Sequence, residues 1–124
     1  MNTNYRVLVV DNYPAMSRML RSILRDLGFK DIDAASDGNS ALLLVRGATY
    51  GLVFSDLNME PMSGMQLLRE VRADAKLNSL KFIMISGSGG PAQVLDAKNQ
   101  GATDYIVKPF TIETIRRKIA DIAW

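Results

Sequence analysis

The sequence predicts an α/β fold: five parallel strands in one sheet, with helices covering both faces. Three observations predict it. Short runs rich in β-branched residues alternate with longer segments of helical spacing, five times over. The connections between runs are too long for hairpins, so the strands should be parallel and the helices should pack back onto the sheet. The chain has 124 residues, the size of one ordinary domain, and no linker or repeat divides it.

The elements follow in order. The first strand is Arg6–Val10, where Val7-Leu8-Val9-Val10 run straight into Asp11-Asn12. Met16, Met19, Leu20, Ile23, Leu24 and Leu27 then recur at helical spacing, with Pro14 suited to the first turn and Gly28 to the stop. Ile32–Ala35 is the second strand, and a short apolar helix, Ser40–Gly47, follows the Asp37-Gly38 turn. Gly51–Ser55 is the third strand, and Met65, Leu68 and Val71 carry the helix after it. Lys81–Ile85 is the fourth, followed by a helix over Ala92–Gln100 that closes at Gly101. Asp104–Val107 is the fifth, and the last helix has Thr111 at its N-cap and Ile112, Ile115, Ile119 and Ile122 on one stripe. Strand twist makes each crossover right-handed. The alternation leaves the strand order open.

Composition removes several function classes. There is no cysteine and no histidine, which excludes disulfides, thiolate metal sites, His-liganded zinc and His-based triads within this chain. The net charge of +2 is too even to argue for nucleic acid. No apolar run approaches the roughly 20 residues of a membrane span, and the N-terminus does not read as a signal peptide. A soluble, cytoplasmic protein is the expectation. The seven methionines sit mostly at core spacing, and Arg18, Arg21, Arg25 and Arg116-Arg117-Lys118 read as solvated helix faces.

In an open parallel sheet, functional groups collect beyond the carboxyl ends of the strands. Strand one ends at Asp11-Asn12, strand three at Asp56, strand four at Ser86-Gly87 and strand five at Lys108-Pro109. Strand two ends in an ordinary turn, as expected of a strand displaced toward an edge. The convergent groups suit phosphoryl transfer: Asp56 as nucleophile, a hard divalent cation, best Mg²⁺, on carboxylate and carbonyl oxygens, Lys108 as a point charge and Ser86 as a hydroxyl donor. The plainer reading is that Asp11 and Asn12 merely serve the start of the first helix; the company of Asp56, Ser86 and Lys108 weighs against it for Asp11. For Asn12, ligand and capping residue both stay open.

Four motifs, "LVVDN" ending at Asn12, "VFSDLNM" around Asp56, "IMISG" around Ser86 and "GATDYIVKPF" ending at Phe110, stand in order at strand ends. They are separated by 45, 30 and 22 residues between Asp11, Asp56, Ser86 and Lys108. On these motifs the chain resembles the receiver domain of two-component response regulators, most nearly the single-domain chemotaxis type, over Tyr5 to Ile122. The resemblance implies one receiver domain over residues 1–124, with a flavodoxin-like (βα)5 sandwich and strand order 2-1-3-4-5. It implies Asp56 as phosphoacceptor, Asp11, Asn12, Asp56 and the backbone carbonyl of Asn58 as the Mg²⁺ set, Ser86 and Lys108 at the phosphoryl group, and Tyr105 as a switch residue. It also implies a cis bond before Pro109. The expected partners are a histidine kinase or phosphotransfer protein and a downstream target such as a flagellar motor switch protein, with no nucleic acid and no membrane, in a monomer. A phosphorelay or phosphate-sink role fits the same resemblance.

Three features depart from the pattern. Asn12 puts a neutral amide where the second acid usually stands, so metal affinity should fall. The alternative function is therefore a pseudo-receiver, a binding module that acts without phosphorylation. "NMEPMSG", Asn58 to Gly64, places Glu60 where proline is common, and that acid is expected to face water. "SGSGGP" makes the loop after strand four rich in glycine, and therefore flexible. Its glycines resemble a phosphate cradle, but no Walker lysine follows. "DLN" resembles the haloacid-dehalogenase phosphatases, but Asn58 lacks their second acid. Tyr105 could equally be an ordinary half-exposed strand residue.

Overall fold

The computed structural model describes all residues, Met1–Trp124. The strands are β1 (Val7–Val10), β2 (Ile32–Ala35), β3 (Leu52–Asp56), β4 (Lys81–Ser86) and β5 (Asp104–Val107). The helices are α1 (Pro14–Asp26), α2 (Gly38–Gly47), α3 (Gly64–Ala73), α4 (Pro91–Asn99) and α5 (Ile112–Ala120). A 3₁₀ turn at Ala75–Leu77, unmarked by any apolar period, precedes β4. All four strand pairings are parallel, in the order β2-β1-β3-β4-β5. That is the order the resemblance implied.

The strands bury both faces, and their two-residue alternation divides the core in two. Leu8, Val10, Val53, Phe82, Met84 and Tyr105 pack with Ala41, Leu42, Val45, Leu67, Leu68, Val71 and Ala97 from α2, α3 and α4. Val7, Val9, Leu52, Phe54, Ile83, Ile85 and Ile106 pack with Leu20, Leu24, Ile115 and Ile119 from α1 and α5. The central strands β1, β3 and β4 therefore read as continuous apolar runs, whereas β2, at an edge, leaves Ala34 exposed. Of the seven methionines only Met59 and Met84 are buried. Core spacing on a helix does not guarantee burial: Met16 and Met65 are half-buried and Met19 is exposed.

The helix ends follow their local chemistry. α1 and α4 both stop in Schellman turns: Gly28 and Gly101 take φ of +107° and +106°, a region that carries no penalty for glycine. The amides beyond them bond back to Leu24 and Ala97. Thr111 caps α5 through the Thr114 N–H, as expected. α3 begins with a reciprocal capping box between Ser63 and Gln66, a signal legible in the S-x-x-Q spacing. α1 is different. Its N-cap is Tyr13 with no side-chain bond, and Pro14 opens the first turn.

The end of the sheet away from the β-strand carboxyl termini is held by polar staples. Tyr50 donates its hydroxyl to Asp33 Oδ2 at 2.5 Å, while Arg6 Nε donates to the same oxygen at 2.9 Å and its guanidinium lies over the Tyr50 ring. Burial, then the hydrogen bond and charge of Asp33, push the Tyr50 phenol up to about 12, with Arg6 opposing. On α3, the half-buried Arg72 donates to the carbonyls of Gly101 at 2.9 Å and Leu80 at 2.7 Å. It ties α3 to the end of α4 and to the start of β4. Burial lowers its pKa, and carbonyl dipoles rather than an acid offset its charge.

Two outcomes follow from these staples. Tyr50→Phe is expected to lose about 1 kcal/mol of stability at neutral pH, by urea unfolding. The folded-state pKa of Tyr50 is raised, so its contribution is complete below pH 10 and lost as the pH climbs through about 12. The difference from Tyr50→Phe should therefore shrink above pH 10, and a constant difference would contradict the assignment. Arg72→Ala is expected to lose about 2–4 kcal/mol, since it strands carbonyls that Arg72 serves. Arg72→Lys should recover only part of this, because one ammonium cannot span both the Gly101 and Leu80 oxygens.

Candidate functional site

Register builds the site. β1 and β3 pair Val10 with Ser55, so the next residues, Asp11 and Asp56, arrive side by side. β3 pairs Asp56 with Ile85, one residue before Ser86, and the Lys108 N–H bonds to the Ser86 carbonyl at 2.8 Å. Asp11, Asp56, Ser86 and Lys108 are thus brought to one rim by backbone hydrogen bonding alone. Asp11 and Asp56 are 6% and 4% exposed and Ser86 is fully buried. Lys108, partly exposed, places Nζ 3.1 Å from Asp56 Oδ1. The peptide bond from Lys108 to Pro109 is cis, as the resemblance implied.

Asp11 Oδ1 accepts the Tyr13 N–H at 2.9 Å, so the acid itself braces the start of α1. Burial raises its pKa most, the Tyr13 N–H opposes that, the Asp56 charge adds to it, and Lys108 opposes. The Oδ2 atoms of Asp11 and Asp56 have no protein hydrogen-bond partner. Nor does the carbonyl of Asn58, an exposed residue two beyond Asp56. Two crowded carboxylates against one ammonium leave a net negative charge among hard oxygen donors. That chemistry fits a divalent cation such as Mg²⁺. No third acid joins them, so any further ligands would be neutral oxygens.

Asn12 does not cap α1. Its Nδ2 donates to the Ser36 carbonyl at 2.5 Å and to the Glu60 carbonyl at 3.3 Å, and its Oδ1 accepts the Glu60 N–H at 2.9 Å. The capping reading is therefore corrected: the amide spans to the loops after β2 and β3. Glu60 itself is exposed, as expected, and engages through its backbone. The bond from Glu60 to Pro61 is also cis.

The loop after β4 is braced in two ways. Ser86 Oγ accepts the Ser88 N–H at 3.1 Å, and the Tyr105 hydroxyl donates to the Ser88 carbonyl at 2.5 Å. Tyr105 is 4% exposed, which replaces the half-exposed strand reading. None of the loop's glycines has positive φ, and of them only Gly89 is crowded. A Cβ on Gly89 would lie 2.1 Å from Val107. Gly64, behind Asp56, meets backbone first instead of a side chain: its Cβ would stand 2.3 Å from the Asp56 carbonyl oxygen. Ser36, Glu60, Gly64, Ser88 and Gly89 all shape the rim without belonging to any motif. The glycine-rich loop hinted at Ser88 and Gly89, and the unusual stretch from Asn58 to Gly64 at Glu60 and Gly64, but nothing hinted at the backbone contacts they make.

Comparison with known proteins agrees with this geometry. The response regulator receiver domain family matches residues 7–120. The chain is 38% identical over 122 residues to the chemotaxis protein CheY-3 of Vibrio cholerae, covering 98% of this chain and 94% of that one. It is 37% identical over 117 residues to the chemotaxis protein CheY of Pseudomonas aeruginosa, covering 94% of each. Among solved structures, chemotaxis response regulator CheY4 of Vibrio cholerae superimposes with a TM-score of 0.90 at 29% identity, covering 98% of this chain and 100% of that one. A chain of the CheX–CheY–BeF₃–Mg²⁺ complex from Borrelia burgdorferi gives a TM-score of 0.87 at 29% identity, covering 93% and 86%. By sequence, by strand order and by the groups gathered at its rim, the chain belongs to the response regulator receiver domain family.

Proposed function

We propose that this protein is a phosphorylation-dependent signalling switch in which Asp56 accepts a phosphoryl group from a histidine kinase, a phosphotransfer protein or a small acyl phosphate. The observation that carries the proposal is the meeting of Asp11, Asp56, Ser86 and Lys108 at one rim, with Lys108 Nζ 3.1 Å from Asp56 Oδ1. An Asp56 carboxylate oxygen attacks phosphorus, the bond from phosphorus to the donor breaks, and the donor leaves with that electron pair. Asp11, Asp56 and the Asn58 carbonyl would hold the cation, and the resemblance adds Asn12 Oδ1. Bound there, Mg²⁺ neutralises charge on the phosphoryl oxygens.

The chain's own groups do the rest. Lys108 lies within reach of both the carboxylate and a phosphoryl oxygen and can stabilise the charge that develops. Ser86 accepts from the Ser88 N–H and keeps its own O–H to donate. If that hydroxyl turns to the phosphoryl group, Ser88 is drawn with it, and Tyr105 is bonded to the Ser88 carbonyl. Helix α4, β5 and α5 border this loop, and the exposed Leu95, Val107 and Ile112 lie there. A relative solved in complex with CheX supports output by protein contact; this face is the one we assign to it, and a flagellar motor switch protein or a phosphorelay partner is the expected class. A soluble, cytoplasmic setting fits a chain with no helix long and apolar enough to cross a membrane.

Incubation with acetyl phosphate and Mg²⁺ should add one phosphoryl group by mass, lost in Asp56→Asn and on chelation. Failure to form a Mg²⁺-dependent adduct with small donors and with kinases alike would leave the pseudo-receiver as the reading. Lys108→Ala should slow adduct formation by roughly 10²-fold or more, on the scale of losing one preorganised charge stabiliser.

A further inference from the structure

The polar contacts at Asn12 are not those of a weakened ligand. One side chain joins three segments: the end of β1, the loop after β2 through Ser36, and the loop after β3 through Glu60. Its orientation is unambiguous, because Glu60 offers both its N–H and its carbonyl to the same amide. Oδ1 must face the N–H and Nδ2 the two carbonyls. An aspartate could keep the bond from the Glu60 N–H, but its second oxygen would stand against the Ser36 and Glu60 carbonyls with no proton to share. Only a carboxamide satisfies this arrangement in full.

We propose that Asn12 is a positioning residue, a latch that holds the Asn58–Glu60 loop against the rim before any cation binds, and that its oxygen is not a metal ligand. Asn58 lies on the latched loop, two residues from Glu60. Latching Glu60 therefore presents the Asn58 carbonyl to the Asp11–Asp56 pair in advance. The role assigned to the cation rests on the phosphorylation reading, but the latch itself is a property of the metal-free chain. A second acid at position 12 would make loop order depend on Mg²⁺; the amide makes it independent.

Amide hydrogen exchange at Glu60, with thermal unfolding alongside, tests this in EDTA and in saturating Mg²⁺. In the wild type the Glu60 N–H should be protected in EDTA and stay protected when Mg²⁺ is added. Asn12→Ala should lose roughly tenfold in that protection in both conditions. Asn12→Asp should melt lowest of the three in EDTA, below Asn12→Ala, and Mg²⁺ should reverse that order. Should Oδ1 instead turn to the cation, the wild-type Glu60 N–H would lose its acceptor and exchange faster in Mg²⁺, overturning the proposal. Equal Glu60 exchange in wild type and Asn12→Ala in EDTA would overturn it too. None of these readouts needs a phosphoryl group, so a chain that fails to phosphorylate yet shows this pattern loses the switch and keeps the latch.

Discussion

Lys108 reaches across the end of β4 to Asp56, and that ion pair lets two carboxylates sit buried side by side. Each carboxylate alone would be costly at a few per cent exposure. Together they repel; burial first, and that repulsion after it, raise the pKa of Asp11. Three features offset this cost: the ammonium, the Tyr13 N–H on Asp11, and the position of both acids at a strand end. There the carboxylate oxygens that no protein group serves can still be solvated or ligated. The same crowding explains Gly64, because any side chain there would displace the Asp56 backbone. Charge repulsion and steric closeness thus meet on Asp56, one at its carboxylate and the other at its backbone.

The fold was legible because its signals are local and periodic. Apolar runs of four to six residues, helical stripes, Gly28 and Gly101 at helix ends and Thr111 at a cap each state their structure within a few positions. Strand order was not written in that way, since alternation alone fits several orders, and only the likeness to a known family supplied it. Boundaries moved by one or two residues where polar chemistry intervened. Arg6 leaves β1 to serve Asp33, while Asp56 and Ser86 stay in the ladders of β3 and β4. The four rim residues were legible for a physical reason: in a parallel sheet, the residue that follows an apolar strand needs no further information to be placed at the rim.

What the sequence hid lies in loops whose contacts are made by backbone. Ser36 and Glu60 serve Asn12 through main-chain groups that every residue possesses, so no side-chain pattern marks them. Ser88 is held at both its N–H and its carbonyl, again independently of its side chain. Tyr105 looked like an alternating strand residue, and its burial depends on the Ser88 carbonyl being there to receive its hydroxyl. A buried phenol without that acceptor would be unsatisfied. Ser86 and Tyr105 are therefore joined through one residue's peptide groups, and Gly89 lets the loop lie close against Val107.

Asn12 changes the charge of the rim as well as its hydrogen bonds. With an amide at this position the cation-free site carries two carboxylates and one ammonium, a single net negative charge. A second acid beside Asp11 would double it, at a place where burial already opposes ionisation. The extra charge would strengthen a cation site, yet it would also repel an incoming phosphoryl group and strain the metal-free fold. The amide gives up cation attraction and gains two hydrogen bonds, to the Ser36 and Glu60 carbonyls, beside the one an acid could keep. On the proposed latch, the rim is assembled before any cation binds, and a cation would have charge to neutralise and little left to organise.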